Sequence, residues 1–266
     1  MKLTWFAASL LILITLFAIF GPLLSSHSYY ETNLSLKNSP PSQEFWFGTD
    51  ELGRDMFTRL AWGARISLFV GIASGCGDLV IGVLWGGIAA LSTPKIDNLL
   101  MRIADILYAI PYLLTVILLM VVMGSGLFPI ILALTLTGWI GMARIVRGEF
   151  LQLKEQDCIL ATISLGASRS RILFHHLIPN TLGTIIVTVT LTIPVAIFSE
   201  AFLSFLGLGV QAPMASWGTM ANDGLPALRY YPWRLFFPAL FISITMLSFN
   251  LLGEGLHHAF DPKSRR

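Results

Sequence analysis

Six apolar stretches divide this chain, and polar segments separate them. They cover approximately residues 4–24, 66–91, 99–123, 127–145, 183–206 and 234–256. A helix rises about 1.5 Å per residue, so about 20 mostly apolar residues cross the hydrocarbon core of a bilayer, which is about 30 Å thick. The pattern therefore predicts an all-α polytopic membrane protein with six transmembrane helices.

Lysine and arginine residues are distributed unevenly over the polar segments. An even number of spans places both termini on one side, together with the polar insert between the fourth and fifth spans. That side holds Lys2, Lys95, Arg102, Arg144, Arg147, Lys154, Arg169, Arg171, Lys263, Arg265 and Arg266. The other side holds only Lys37, Arg54, Arg59, Arg65, Arg229 and Arg234. Because basic residues concentrate in cytoplasmic loops, we expect both termini and the insert in the cytoplasm.

These two patterns predict four regions. Residues 1–24 form a first transmembrane helix, and residues 25–65 form an extracytoplasmic segment with an interfacial helix. Residues 66–256 form a five-helix core that includes the cytoplasmic insert, 147–181, and residues 257–266 form a cytoplasmic tail. The first apolar run is longer than the roughly 7–15 residues of a signal-peptide core and no A-x-A-like site follows it, so we expect it to be retained.

Composition narrows the class further. Hydrophobic residues make up 55% of the 266 residues and charged residues only 12%, which excludes a disordered chain and disfavours an ordinary soluble domain. The formal net charge is +2 and no basic stripe occurs, so nucleic acid is not an expected partner. Cys76 and Cys158 fall at different predicted depths, which argues against a disulfide framework.

No motif in the sequence indicates catalysis. The phosphate-binding pattern G-x-x-x-x-G-K-[ST] is absent, so we do not expect this chain to hydrolyse ATP. The zinc-protease pattern H-E-x-x-H is also absent, and no metal site is predicted. All five histidines fall at predicted aqueous ends of spans: His27, His175, His176, His257 and His258.

Four acidic residues lie in or near the spans, where a charge costs about 2.5–3.5 kcal/mol on insertion scales. Asp105 follows Arg102 by one turn and Glu254 lies near a span end, so pairing or exposure explains both. Asp78 lies mid-span without a local cation. Glu200 lies toward the outer end of the fifth span, in "SEAFLSFLGLG". Asp78, Glu200 and the nearby Ser204 are therefore the candidate residues of a substrate pathway.

The insert contains "ATISLGASRSRILFHHLIPN", Ala161 to Asn180, in which helix signals alternate with breaks. Helical spacing over about 151–165 predicts one short helix. Gly166 suits the left-handed residue that ends it, and Ser168 suits the N-cap of a second helix that ends before Pro179. The second helix places Ile172, Leu173 and His176 on one face. This apolar ridge can either fold back on the bundle or dock into a groove of another protein, and periodicity does not decide between them.

The same insert resembles the EAA loop of ABC-importer permeases, whose core is an Ala-Ala pair, then Gly, then a hydrophobic residue and Pro. Ala161-Thr162, Gly166 and Ile178-Pro179 fill those places, with Thr162 as a small-for-small departure. Further blocks resemble the C-type permease subunits of oligopeptide and dipeptide importers. They are "FGTDELGRDMFTRLAWGARIS", "GMARIVRGEFLQLK", "SFLGLGVQAPMASWGTMANDG" and "FNLLGEGLHHAFDP".

The resemblance implies a type I ABC-importer permease bundle with cytoplasmic coupling helices, in a bacterial inner membrane. It implies four partners: a second, homologous permease in a heterodimer, two cytoplasmic ATPases that use ATP and Mg²⁺, and an extracytoplasmic peptide-binding protein. The chain itself would bind no cofactor. The residues expected to couple it to an ATPase are Ala161, Thr162, Leu165, Gly166, Ala167, Ser168, Arg169 and Ile172.

Alternatives remain open at this level. Members of the family also import nickel or metal chelates and other small peptides. A proton-coupled secondary transporter would use Asp78 and Glu200, and a structural assembly subunit would use no pathway. Asp78 departs from the usually apolar family pattern, and it could serve a chain-specific contact or a polar interface with the partner permease.

Overall fold

The computed structural model describes residues 2–260 and confirms a helical membrane protein. Among these residues, five helical stretches are long and apolar enough to cross a membrane: Lys2–Leu24, Met56–Leu91, Leu127–Lys154, Arg169–Leu208 and Trp233–Phe260. The bent pair Pro94–Tyr108 and Tyr112–Met123 makes a sixth span if it counts as one. The helices are α1 (Lys2–Leu24), α2 (Met56–Leu91), α3 (Pro94–Tyr108), α4 (Tyr112–Met123), α5 (Leu127–Lys154), α6 (Asp157–Ser164), α7 (Arg169–Ile172), α8 (Ile178–Leu203), α9 (Trp217–Gly224) and α10 (Trp233–Phe260).

Helix α2 is the centre of the bundle and packs against α1, α5 and α8. Small residues allow the close approach of α5. A Cβ atom added at Gly86 would lie 2.5 Å from the carbonyl oxygen of Ala143, and one added at Gly82 would collide with Met142. Helices in lipid associate largely by such close packing, because the surrounding acyl chains are as apolar as their side chains.

Helix α2 begins at Met56, ten residues before the predicted start of the second span. Asp55 caps it by accepting hydrogen bonds from the backbone N–H groups of Phe57 (3.2 Å) and Thr58 (3.1 Å). The first three turns carry arginines, which hydropathy scores as loop. The predicted extracytoplasmic segment 25–65 contains one 3₁₀ turn, Leu34–Leu36, and the first ten residues of α2, and its interfacial helix stays a prediction.

The third predicted span, 99–123, is broken rather than merely kinked. Helices α3 and α4 meet at 78° across residues 109–111. Pro111 has no N–H group to continue the helix, and it disfavours helical geometry at Ile110. The break therefore lets α3 run in a different direction from α4.

Two ion pairs tie α3 to α5. Arg147 donates two hydrogen bonds of 2.6 Å to the Asp97 carboxylate, and Arg144 donates one of 2.7 Å to Asp105. Asp105 is thus paired, as expected, but with Arg144 from another helix instead of Arg102 on its own. Sequence spacing detects only partners within one helix.

A proline in α1 has its missing hydrogen bond replaced by an arginine of α2. Pro22 cannot donate to the carbonyl oxygen of Ala18, one turn earlier. Arg65 donates to that oxygen from Nε at 2.6 Å and to the Ile19 oxygen from Nη2 at 2.8 Å, while its guanidinium lies 4.3 Å from the centre of the Trp62 ring. The α1–α2 contact therefore includes a polar link that satisfies the carbonyl group freed by Pro22.

Helix α2 connects two ends of the bundle. We call the end with α6 and α7 the insert end, and the end formed by residues 25–55 and 204–232 the cap end. At the insert end, Lys154 of α5 donates to the Ala90 carbonyl oxygen near the end of α2 (3.2 Å). Of the predicted tail 257–266, residues 257–260 belong to α10, and the remainder lies outside the described residues.

Candidate functional site

The break between α6 and α7 is a rigid turn built on Gly166. Gly166 has φ +80°, and its N–H donates to the carbonyl oxygen of Ile163 (2.9 Å). The N–H of Ala167 donates to the carbonyl oxygen of Thr162 (3.3 Å). These two bonds define a Schellman motif, which ends a helix with a left-handed residue. The expected helix-ending role of Gly166 is confirmed, although the helix it ends begins only at Asp157, because α5 extends to Lys154.

The second helix of the insert begins as expected but does not end as expected. Ser168 accepts a hydrogen bond from the N–H of Arg171 (3.3 Å), which confirms it as an N-cap. The predicted end before Pro179 is wrong. A π-turn over Leu173–Leu177 precedes Pro179, and α8 begins at Ile178, so Pro179 occupies the first turn of α8. Proline needs no N–H partner there, and α7 passes into α8 without a loop.

The apolar residues of the insert divide into two faces. Ile159 (2% exposed), Ile172, Leu173 and Leu177 pack into a buried cluster with residues of α2, α5 and α8, including Phe150. This face folds back on the bundle, and His176, expected beside Ile172 and Leu173, is half-buried.

The other face points away from the bundle. Leu160 and Ile163 of α6 are exposed, and Leu165 is 89% exposed, the largest fraction among the large hydrophobic side chains of residues 2–260. Leu165 and Gly166 form what we call the coupling tip. The predicted ridge with Ile172 and Leu173 therefore folds back on the bundle, and docking of the exposed face on another protein stays a prediction.

The eight predicted coupling residues fall into three groups. Ala161, Leu165, Gly166, Ser168 and Arg169 are exposed, and Thr162 and Ala167 are half-buried. Ile172 is buried under them, so it supports the exposed residues and is not available to a partner in this conformation.

At the cap end, Glu200 is fully buried and joins three elements. Its carboxylate accepts hydrogen bonds from the hydroxyls of Ser67 of α2 (3.1 Å) and Ser204 (2.7 Å). Ser67 also accepts one from the N–H of Trp217 at the start of α9, and Ser216 donates to Ser204 (both 3.3 Å). The predicted pathway residue Glu200 thus lies in the interior, where it holds α2, α8 and α9 together.

Asp78 is also interior, at 3% exposure, on the face of α2 that meets α5. A Cβ atom at Gly138 of α5 would overlap its carboxylate, and one carboxylate oxygen has no hydrogen-bond partner among residues 2–260. Asp78 therefore faces this chain's own α5. Contact of Asp78 with a substrate stays a prediction.

A cluster of charged residues lies near Ser204, and it was not predicted from the sequence. Arg54 donates from Nε to Asp50 at 2.7 Å, and Arg59 reaches the same carboxylate at 3.3 Å and Asp223 at only 3.9 Å. Burial raises the pKa of Asp223 above its ordinary value, although Arg59 acts in the opposite direction. The close spacing of Asp50, Arg54 and Arg59 along the sequence was the available signal.

This cluster borders a cavity of about 240 Å³. Its walls come from the start of α2, from the segment after α8 and from α9, and they include Arg54, Arg59, Ser204, Gln211, Asn222 and Asp223. Ser204, predicted for the substrate pathway, thus borders a cavity, whereas Glu200 lies directly behind it.

Comparison with known proteins identifies the family to which this architecture belongs. The profile of the family "binding-protein-dependent transport system inner membrane component" matches residues 82–266, and that of the "N-terminal TM domain of oligopeptide transport permease C" matches residues 2–41. The chain is 60% identical over 265 residues to the oligopeptide transport system permease protein OppC of Bacillus subtilis, covering 100% of this chain and 87% of that protein. It is also 60% identical over 262 residues to the dipeptide transport system permease protein DppC of the same organism (97% and 82%).

A more distant relative and solved structures agree. The Escherichia coli K12 OppC permease is 42% identical over 257 residues, covering 96% of this chain and 85% of that protein. A chain of the MetNI methionine ABC transporter in an inward-facing conformation superposes with a TM-score of 0.65 at 21% identity, covering 77% of this chain and 97% of that chain. At this identity the match supports the type I permease fold alone. The chain belongs to the family of binding-protein-dependent transport system inner membrane components, in its oligopeptide and dipeptide C-type permease branch.

Proposed function

We propose that this chain forms one half of the translocation pathway of an ATP-driven peptide importer and couples that pathway to a cytoplasmic ATPase through its insert. The observation that carries the proposal is the coupling tip. An almost fully exposed leucine is costly in water, and Leu165 stands on a turn that is fixed by the Schellman hydrogen bonds and supported by the buried Ile159 and Ile172. Such a rigid apolar projection suits a groove of a partner protein.

The connection of the insert to the bundle supports a mechanical role. Helical backbone runs from Arg169 to Leu206 and is interrupted only by the π-turn over Leu173–Leu177, so about 55 Å of helix links the coupling tip to the cap end. At its far end lie Glu200 and Ser204, which contact α2 and the residues before α9. A displacement of the tip by an ATPase would therefore move the cap end as well, which alternating access requires.

The proposed assembly contains a second homologous permease, two cytoplasmic ATPases and an extracytoplasmic peptide-binding protein. ATP and Mg²⁺ belong to the ATPases, and this chain contributes no catalytic group. We propose the inner membrane as its location, with both termini and the insert cytoplasmic because of the excess of Lys and Arg on that side. Peptides are the proposed substrates because the Bacillus subtilis relatives are named for oligopeptide and dipeptide transport.

Uptake in vesicles tests this function. Vesicles that contain the complete complex are either depleted of ATP with the proton gradient intact, or supplied with ATP after the gradient is collapsed. The proposal requires peptide uptake only in the second condition. Uptake that persists without ATP would instead support a proton-coupled transporter.

A further inference from the structure

One buried cation at the cap end, Arg59, pairs with Asp50 at 3.3 Å but has donors without a hydrogen-bond acceptor. Arg54 donates to Asp50 from its side chain and its backbone, and Arg234 donates to Glu51 at 2.9 Å. Arg59 is 4% exposed at its side chain, yet its Nη1 has neither a hydrogen bond nor an ion pair within residues 2–260. A buried charged donor without an acceptor is costly, and native structures rarely keep one without a reason.

The neighbouring acids do not supply that acceptor. Asp50 already accepts from Arg54 Nε, from the Arg54 N–H and from the Leu52 N–H, at 2.7–3.0 Å. Asp223 lies 3.9 Å from Arg59 Nη2, beyond hydrogen-bond distance. A planar guanidinium has paired donors that match the two oxygens of a carboxylate, so a further carboxylate fits the donors that Asp50 and Asp223 leave free.

The cavity beside Arg59 has the size and lining for the end of a peptide. Its volume of about 240 Å³ is below the roughly 300–1,000 Å³ of pockets that enclose a whole drug-sized ligand. Arg54, Arg59 and Asp223 line its walls, and Asp50 lies behind the two arginines as their common partner. Asn222 and Gln211 add side-chain amides, which can donate to and accept from a peptide bond.

We propose that this cavity binds the terminal α-carboxylate of the transported peptide through Arg59, with Asn222 beside the last peptide bond. The proposal rests on the peptide-import function proposed above and adds a substrate subsite to it. It assigns this permease a part in recognising a free carboxyl terminus, beyond any selection by the binding protein. The subsite lies between the start of α2, the segment after α8 and helix α9. The hydrogen bonds of Glu200 join these same parts of the chain.

Matched peptides test the subsite. Uptake by the reconstituted complex is measured for one peptide as the free acid and as the carboxyl-terminal amide, with the binding protein saturated by each. Charge-assisted hydrogen bonds contribute about 1.5–3 kcal/mol, so the acid-to-amide ratio of uptake efficiency should fall about tenfold or more in Arg59→Gln. Arg59→Lys keeps the charge but not the paired donors and should give an intermediate ratio.

Two further variants make the test decisive. Asn222→Asp adds a negative charge to the cavity while leaving Arg59 in place, so it should lower the ratio even if Arg59→Gln fails to assemble. Arg229→Gln removes an exposed cap-end charge that is remote from the cavity walls, and both peptides should enter as in the wild type.

Equal losses for acid and amide would overturn the subsite, because the effect of Arg59 would then not depend on the peptide carboxylate. An unchanged ratio in Arg59→Gln and in Asn222→Asp would overturn it as well. Failure of the wild-type complex to take up either peptide with ATP would instead contradict the proposed function.

Discussion

The contact between Arg65 and the carbonyl groups near Pro22 allows a prediction with a defined magnitude. In Arg65→Met the carbonyl oxygen of Ala18 loses its donor, because Pro22 cannot replace it. Ala18 is buried, and an unsatisfied buried acceptor costs about 1–3 kcal/mol. We therefore expect Arg65→Met to lower the free energy of unfolding by about that amount.

The same substitution should cost less in a Pro22→Ala background. The new N–H of residue 22 can donate to the Ala18 oxygen, so Arg65→Met then removes only the bond to Ile19 and the contact with the Trp62 ring. That contact is worth about 0.5–1 kcal/mol at an exposed site. The double-mutant cycle should give an interaction energy of about 1–2 kcal/mol between positions 22 and 65.

The assay is reversible unfolding in mixed micelles as the fraction of denaturing detergent rises, applied to all four members of the cycle. Arg229→Met is the matched control, since Arg229 is exposed and lies 5.8 Å from the Tyr230 ring centre, and it should change stability by less than about 0.5 kcal/mol. Additive effects at positions 22 and 65, within about 0.3–0.5 kcal/mol, would refute the compensation of the proline by the arginine.

Three further predictions concern the candidate sites. Gly166→Pro is incompatible with φ +80° and removes an N–H donor, so it should lower the peptide-stimulated ATPase activity of the complex about tenfold. Gly166→Asn and the helix control Gly148→Ala should retain that activity. Equal activity in all three variants would contradict the role of the turn. Asp78→Asn should retain ATP-driven uptake, measured in vesicles, and abolished uptake would assign Asp78 to proton coupling. Glu200→Leu should lower the free energy of unfolding by about 1–3 kcal/mol for each serine hydroxyl left unpaired, and so reduce the amount of assembled complex in detergent extracts. Glu200→Gln should assemble. Normal assembly of the leucine variant would contradict the role of Glu200 in joining the three elements.

Local signals in the sequence were sufficient for the spans and the turn. Apolar runs of about 20 residues are long enough to span a bilayer, which predicts transmembrane helices. A glycine followed by a serine at N-cap spacing indicates where one helix ends and the next begins. Gly166 and Ser168 were therefore predictable. The continuation through Pro179 was not, because a π-turn is a tertiary adjustment with no sequence signature of its own.

The partners of charged residues were less predictable. Asp105 pairs with Arg144, 39 residues later, and Arg65 serves carbonyl groups 46 and 47 residues earlier. Hydropathy also hid the start of α2, because arginines such as Arg59 lower the score of a helix that tertiary contacts nevertheless bury. The cavity beside Arg59 could be found only once three distant segments were brought together.

Cross-linking tests most directly whether the coupling tip docks on an ATPase. In a background with Cys76→Ser and Cys158→Ser, since both cysteines are exposed, Leu165→Cys is labelled with a short photo-cross-linker in the complete complex. Leu228→Cys, exposed at the cap end, is the control. We predict a covalent adduct with an ATPase subunit from position 165 only, and its yield should change when ATP is bound. An adduct of position 165 with lipid or with this chain alone, and none with an ATPase, would contradict the account.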